Sequence, residues 1–566
     1  MNLFKIIPLL CVFGYCTSSF AQQPIGNENT WGSITGNVGT DAQYYTRDPA
    51  IGAPEVPDRF RMNSFMYLQY QKGGFTAGAR YEAYLPKPLL GIDESFTGHG
   101  IRFRFASYRY KTLEVTAGSF YEQFGNGLAF RSYEARALGF DNFVDGFRIK
   151  YNVKGIYVKG IFGRVRDFWA FSPGTVRGID AEINFSEMFP KLTEKKVNLI
   201  IGGNFVSKYQ PGTEKVIGQE VLALPQNVAV GSGRANLSVG KFNLIGEFAY
   251  KINDPSSANN YIYKPGTAAL LTASYFTDNV GVSLQAKRID NFDFRSDREV
   301  NLNRQLVNWI PMLNKQHTYN LAASIYPYAV QPLGEQGLQA DIQFSIPRGS
   351  KLGGKYGMDI NINASVVYGL DTAGRKQITY VDGPDSLTLA DRYGYSSGAG
   401  LGKQYYHDFN IEITKKFNKK WKLSLMYMNL WANLKVLTIS QLSNDPFVHA
   451  HIGVADLTWR INTTHALRME VQGLFTKQDQ GDWAMALLEY TFAPQFFVSV
   501  MNQYNFGHPN KEKRVNYPLV STGYNMGNHR FTLSYGRQRA GVLCIGGVCR
   551  AVPAANGLTF SYVGSF

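Results

Sequence analysis

The sequence predicts an all-β fold: a large antiparallel transmembrane β-barrel of the outer-membrane kind, with about 26 strands and 24 as the next reading. Three observations carry this. Apolar and polar residues alternate with period two along most of the 566 residues. Tight turns alternate with long polar loops. No internal stretch approaches the ~18 consecutive apolar residues of a membrane helix, although 44% of the residues are hydrophobic and 14% aromatic. That apolar content excludes disorder. No Pro-rich, Ser-rich or charged linker divides the chain.

The alternation is clearest in four stretches. Phe60–Gln71 sets Phe60, Met62, Ser64, Met66, Leu68 and Tyr70 against Arg61, Asn63, Phe65, Tyr67, Gln69 and Gln71. Phe147–Lys154, Ala466–Gln472 and Arg530–Ser534 repeat it. Period two is the geometry of a strand with one apolar and one polar face. The polar faces carry Arg148, Lys150, Lys154, Lys159, Glu247, Glu412, Arg468 and Glu470. A small barrel filled by its own side chains can hold some of these as paired networks, whereas a large one would wet them.

Tight connections fall at Gly73-Gly74, Tyr110–Leu113, Asn152–Gly155, Val239–Phe242, Thr277–Val280, Asn462–His465, Ala493–Phe496 and Met526–His529. Long ones fall at Pro86–Gly98, Tyr209–Gln226 and Lys435–Val448. In outer-membrane barrels the short turns face the periplasm and the long loops the outside. Counts from the two ends of the chain clash by one strand between about Asp290 and Lys355. An extra short strand in Asn291–Lys315 would repair the clash and give 26, an even number. A soluble propeller or sandwich also alternates. Long strands, aromatic residues near strand ends and the absence of a blade repeat speak against it.

Residues 1–21 read as a secretory signal: Lys5, an apolar core from Ile6 to Cys16, and Ser19-Phe20-Ala21 before the cut. Cys16 raises a lipoprotein reading, but Tyr15 stands where a small residue is wanted. Residues 22–30 form a short periplasmic segment and 31–566 a single barrel domain. The first strand opens near Trp31, which leaves no room for an N-terminal plug or docking domains. Removing Lys5 lowers the net charge from +15 to +14. The surplus is spread along the chain and suits phosphorylated lipid or an anion-favouring lumen better than nucleic acid.

The segment Gly125–Asn142, GNGLAFRSYEARALGFDN, joins two clear strands on the long-loop side. Arg131, Glu134, Arg136 and Asp141 in it are the candidates for a pore constriction, since a few charges set selectivity. The alternative is a capping loop whose charges pair with one another or with the wall. Gly349–Tyr356 nearly spells a phosphate-binding loop, but Tyr356 stands where Ser or Thr is needed and no helix follows. It reads as a Gly/Lys turn. His449 and His451 share a strand face without a nameable third metal ligand. Asp371–Gln404 is a long external insertion, a lid or a partner surface. No local motif points to catalysis, a cofactor or a metal.

The mature chain keeps Cys544 and Cys549. In an exported protein such a pair is expected to form a disulfide, with a metal site or free thiols as the alternatives. The last strand, Leu558–Phe566, sets Leu558, Phe560, Tyr562 and Phe566 on one face. It must pair with the first to abolish the open edge. A terminal aromatic strand of this kind resembles the signal read by the barrel-assembly machinery.

The signal ending in Ala-Gln-Gln, the GNGLAFRSYEARALGFDN segment, the Lys351–Gly357 turn and the Cys-x4-Cys-Arg-x-Val-Pro ending together resemble an uncharacterised outer-membrane β-barrel family of Bacteroidota-type bacteria, domain of unknown function 6029. The resemblance covers most of the mature chain. It implies the fold and an outer-membrane location, and brings no catalytic residues.

The function expected is a porin-like passive channel for small polar solutes. The alternative is a barrel subunit or scaffold of an envelope export or assembly complex, docking partners through its long loops. Outer-membrane lipid and lipopolysaccharide, the barrel-assembly machinery and an envelope protein are the partners expected.

Overall fold

The period-two stretches form strands of one closed sheet. The computed structural model describes residues 31–566 apart from 213, 218–219, 374–376, 381–386, 391–395, 438–445 and 546–547. The signal-peptide reading of residues 1–21, with its Cys16 alternative, and the segment 22–30 lie outside the described residues. The sheet has 24 strands, each antiparallel to both neighbours. The strands run from eight residues (Leu113–Phe120) to 21 (Ser396–Lys416), against the ~9–11 that a tilted membrane strand needs. No helix among the described residues is long and apolar enough to cross a membrane.

Closure is made by the two ends of the chain. Ser33–Tyr45 pairs with Ala555–Ser565, with Thr40 opposite Tyr562 and Tyr44 opposite Leu558. Phe566 continues the ladder: its N–H donates to the Gly36 carbonyl at 3.0 Å and its carbonyl accepts from the Gly36 N–H at 2.8 Å. A Cβ on Gly36 would meet the Phe566 ring at 2.5 Å, so glycine is required where the terminal aromatic lies across the first strand. Leu558 and Phe566 stay exposed on the outward face, and Phe531 stacks on Tyr562 at 4.8 Å.

The strand number of 26 is corrected to 24. Asn291–Lys315 holds no wall strand; it contributes only an isolated bridge, Arg295 to Leu306. The wall passes directly from Val280–Asp290 to Gly334–Ile346, which pair with each other. The turn at 347–357 then leads to Met358–Ala373. These connections fall on alternate rims without an extra strand. The residues between 290 and 334 are polar and apolar enough to mimic a strand locally, but they fold inside the barrel.

The tight connections named from the sequence all close hairpins along one rim. Gly527 has φ +57, and a Cβ there would meet nothing within 4 Å, so the backbone conformation rather than space calls for glycine. The opposite rim carries long connections except where Phe168 and Trp169 alone join Ile156–Asp167 to Ala170–Asn184; the tight-turn rim in turn carries two longer ones, residues 185–196 with two short helices and the turn at 347–357.

Large apolar side chains are exposed on the outer surface right around the sheet, among them Phe147, Phe205, Phe248, Leu338, Val471 and Tyr535. Near the tight-turn rim aromatic rings pair across strands: Trp421 on Trp459 at 5.3 Å and His465 on Phe492 at 4.9 Å. An apolar band edged by aromatic rings is the surface a lipid-facing barrel presents.

Candidate functional site

The inward face of the wall changes character with depth. In Phe447–Arg460 the inward side chains run Val448, Ala450, Ile452 and Val454 from the long-loop end, then Asp456. In Asn227–Val239 they run Val228 and Val230, then Ser232, Arg234, Asn236 and Ser238. The half nearer the tight turns is thus lined with hydroxyls, amides and charges. The half nearer the long loops is apolar, and apolar wall residues inside a barrel need something to cover them.

Residues 291–333 cover them. The segment leaves and returns to the wall at one place, where Asn291 N donates to Leu333 O at 3.2 Å and Phe292 N to Pro332 O at 2.8 Å. Its first part puts Phe292, Phe294, Val307 and Ile310 against Val176, Val206 and neighbouring wall residues. Its second part puts Leu313, Leu321 and Tyr328 against Met428, Ile452 and Leu474 on the far side. Only a segment crossing the lumen reaches both sets.

Polar contacts pin the same segment to the wall. Lys287 Nζ donates to Pro311 O at 2.6 Å and pairs with Glu335 at 2.5 Å, with neither side chain exposed. Lys251 Nζ donates to Asp293 O at 2.5 Å. His317 Nε2 meets Asp408 Oδ2 at 2.5 Å, and Lys315 Nζ reaches Glu412 at 3.2 Å. Gln472 Oε1 accepts from Leu321 N at 2.8 Å. The Tyr328 hydroxyl donates to Glu335; full burial and then the Glu335 charge hold its proton on far above the usual tyrosine range.

The GNGLAFRSYEARALGFDN segment also lies inside and joins this body. Trp309 N donates to Gly127 O at 2.9 Å, and Arg131 N to Val307 O at 2.8 Å. Asn142 Nδ2 donates to Leu306 O at 2.6 Å. Asn126 gives its backbone N–H and its Nδ2 to Glu247 Oε2 on the wall, each at 2.8 Å. Phe124, Leu128 and Phe130 are fully buried. Burial raises the Glu122 carboxyl, but Lys159 and Lys150, at 3.2 and 2.7 Å, outweigh it and leave the pKa below the usual glutamate value.

Three of the four constriction candidates come together. Asp141 accepts from Arg166 at 2.7 Å, from the Tyr121 hydroxyl at 2.8 Å and from Arg80. Glu134 pairs with Arg80 at 3.1 Å and with Arg136 at 2.8 Å. Glu82, fully buried, completes the cluster by binding Arg80 and Arg166. Arg136 also lies over the Phe65 ring at 4.4 Å. Arg131 stands apart, over the Trp309 ring at 4.2 Å and the Tyr133 ring at 4.6 Å. Its guanidinium is half-buried, which lowers its pKa, and burial pushes Tyr133 up to about 12.

Above this body, towards the long loops, lies a chamber of about 1170 Å³. Trp309, Tyr133, Phe140 and Phe168 line it, together with Gln305 and four arginines: Arg166, Arg295, Arg304 and Arg550. Sequence reasoning singles out neither residues 291–333 nor this chamber as a site. The signal is present: Trp421–Asn433 carries Leu425, Tyr427 and Trp431 outward but also Met426, Met428 and Leu430 inward. A strand apolar on both faces inside a barrel calls for an internal body.

The remaining sequence features fall as follows. His449 and His451 lie outward, with His449 Nε2 at 2.9 Å from Asn429 Nδ2 and His451 Nδ1 at 2.8 Å from the Tyr427 hydroxyl. No group of three metal-ligating side chains occurs among the described residues. Gly349–Tyr356 is a turn closed by Gly349 N to Gly354 O at 2.7 Å. Cys544 and Cys549 face each other across the hairpin Gly541–Ile545 and Val548–Val552; the Cys544 side chain lies outside the described residues. In Asp371–Gln404 the ends prolong two wall strands, and much of the middle lies outside the described residues.

Comparison with solved structures finds other large barrels. The siderophore receptor PirA from Pseudomonas aeruginosa matches at 8% identity and a TM-score of 0.41, over 96% of this chain and 81% of that one. The P pilus usher (PapC) translocation pore matches at 8% and 0.40, over 94% and 99%. OccAB4 of Acinetobacter baumannii matches at 10% and 0.34, over 84% and 100%. Comparison with curated proteins finds no match. The profile of the family of unknown function DUF6029 matches residues 3–566, and the chain belongs to that family.

Proposed function

We propose that this chain is an outer-membrane barrel that passes small polar solutes through a lumen gated by its own residues 291–333. The observation that carries the reading is the zoning of the lumen. One half is lined by hydroxyls, amides and charges, as an aqueous path requires. The other is occupied by an internal body built from two loops and pinned to opposite walls. This sharpens the expectation of a porin-like passive channel into a plugged one. The exposed apolar band and its aromatic edge support outer-membrane lipid and lipopolysaccharide as the surroundings. The terminal strand supports insertion by the barrel-assembly machinery.

Under this reading the cluster of Glu134, Arg136 and Asp141 anchors the inner loop to the wall, and its charges fix the local field beside the chamber. The test is swelling of liposomes that carry the purified barrel in a small neutral sugar. Substituting the internal anchors, Phe294→Ala with Leu321→Ala, raises the swelling rate severalfold. An unchanged rate in correctly folded protein contradicts the reading.

A second reading has its own support. The depth of burial at Lys287, Glu335 and Tyr328 suits a barrel that never conducts and serves as a scaffold, with an envelope protein docked on its long loops. Gentle extraction that returns a fixed stoichiometric partner favours it.

A further inference from the structure

The chamber has the size and chemistry of a small-molecule binding site. Its volume, about 1170 Å³, lies just beyond the roughly 300–1,000 Å³ of most such sites. Its rings are fixed: Arg131 packs over both Trp309 and Tyr133, so their flat faces cannot turn freely.

Two donors around the chamber lack acceptors that would match them among the described residues; the first is closed off from the open space, the second faces it. Gln305 is 4% exposed; its Oε1 accepts from Ser296 Oγ at 3.1 Å, while its Nε2 has no partner there. A buried orphan donor costs about 1–3 kcal/mol. Gln305 and Leu302 both hold left-handed backbones, φ +53 and +56, a conformation that disfavours leucine in particular. Arg550 is the second donor. It reaches only carbonyls, Ala137 O at 2.8 Å and Ala551 O at 3.4 Å. The other three arginines each have an aspartate: Arg166 with Asp141, Arg295 with Asp293 and Arg304 with Asp167. Asp93, the remaining lining carboxylate, is exposed and caps Ser95 N at 2.9 Å. Asn303 Nδ2 donates to Cys549 O at 2.6 Å, which ties the Gln305 loop to the strand bearing Arg550.

We propose that this chamber binds small acidic saccharides, with Arg550 taking the carboxylate and the Trp309 ring an apolar sugar face. A guanidinium that meets only carbonyls among the described residues favours a carboxylate, which it can hold through two parallel hydrogen bonds. The flat Trp309 ring favours a sugar over a compact inorganic anion. The proposal deepens the solute-passage reading and rests on it for its purpose, since the chamber lies on the long-loop side of the internal body. Binding itself is measured without transport.

The test uses the full barrel in detergent, with its folding checked by heat-modifiable gel mobility, and calorimetric titration with tri-galacturonate and with maltotriose. Tri-galacturonate is expected to bind saturably, and Arg550→Gln to weaken it about tenfold or more, the scale of a lost charge-assisted contact. Arg550→Lys restores part of the affinity, and Trp309→Ala weakens binding severalfold. Equal binding of maltotriose, no saturation at millimolar tri-galacturonate, or wild-type affinity in Arg550→Gln would each overturn the assignment. Loss of binding with gating intact overturns this inference alone; a lumen that never conducts, with binding intact, overturns the passage reading alone.

Discussion

Lys287 and Glu335 form an ion pair of 2.5 Å with neither side chain exposed, one on each of the wall strands that flank the internal segment. Lys287 also donates to Pro311 O, and Glu335 accepts from Gln331 N at 2.8 Å and from the Tyr328 hydroxyl. The pair therefore fastens the middle of the segment and its returning end to the wall it departs from.

Lys287→Met should loosen this fastening. Removing one partner of a buried pair leaves the other charge uncompensated, at about 3–5 kcal/mol. Amide exchange across 310–331 should speed up, while exchange in distant strands such as Phe60–Lys72 should not. Lys287→Met/Glu335→Gln should recover part of the protection. Uniform acceleration across the barrel would show that the pair holds the wall instead.

Phe294 is fully buried against the wall. Phe294→Ala should cost about 3–5 kcal/mol, felt as local undocking rather than loss of the barrel. Limited proteolysis should then cut within 291–333 while the folded gel mobility persists. Resistance equal to wild type would mean that the first half of the segment is held by its polar contacts alone.

The Glu122 carboxyl is depressed in the folded state despite its burial. A depressed folded pKa contributes stability that is fully present above the unfolded value, near 4.3, and is lost as pH falls through the folded value. Docking of residues 121–143 should therefore weaken below about pH 4. Glu122→Gln should weaken it at neutral pH and flatten that response. Exchange rates in 121–143 measured from pH 3 to pH 7 check the sign.

Cys544 and Cys549 oppose each other in a hairpin of the last long connection, away from the wall ladder. We propose a disulfide between them. Cys544→Ser/Cys549→Ser should fold and insert as wild type, with faster proteolysis confined to 539–554. Failure to insert, read by heat-modifiable mobility, would give the pair a larger role.

Most of the wall is legible in the sequence because period two and turn chemistry are local properties. Gly73-Gly74, Asn152–Gly155 and Met526–His529 mark their hairpins by themselves. The strand number is not fully legible, because Asn291–Lys315 has the composition of a short strand and its inward fold depends on surfaces hundreds of residues away. The charges of Glu134, Arg136 and Asp141 can be seen, but not their partners Arg80, Glu82 and Arg166, which lie on the wall strands Phe75–Tyr84 and Ile156–Asp167. Gln305 and Arg550 carry no local pattern at all. The inward apolar row Val448, Ala450, Ile452 and Val454 is visible in the sequence and has no reason to exist in an open aqueous pore; it is the trace that the internal body leaves on the wall.

The most direct test of the central claim is single-channel conductance in planar bilayers. Wild-type barrel is compared with a variant whose residues 294–330 are replaced by a short Gly/Ser bridge joining the paired stems at 291–293 and 331–333. The account predicts low, intermittent conductance for wild type and a large, steady conductance for the variant. A correctly inserted variant that conducts no more than wild type would contradict it.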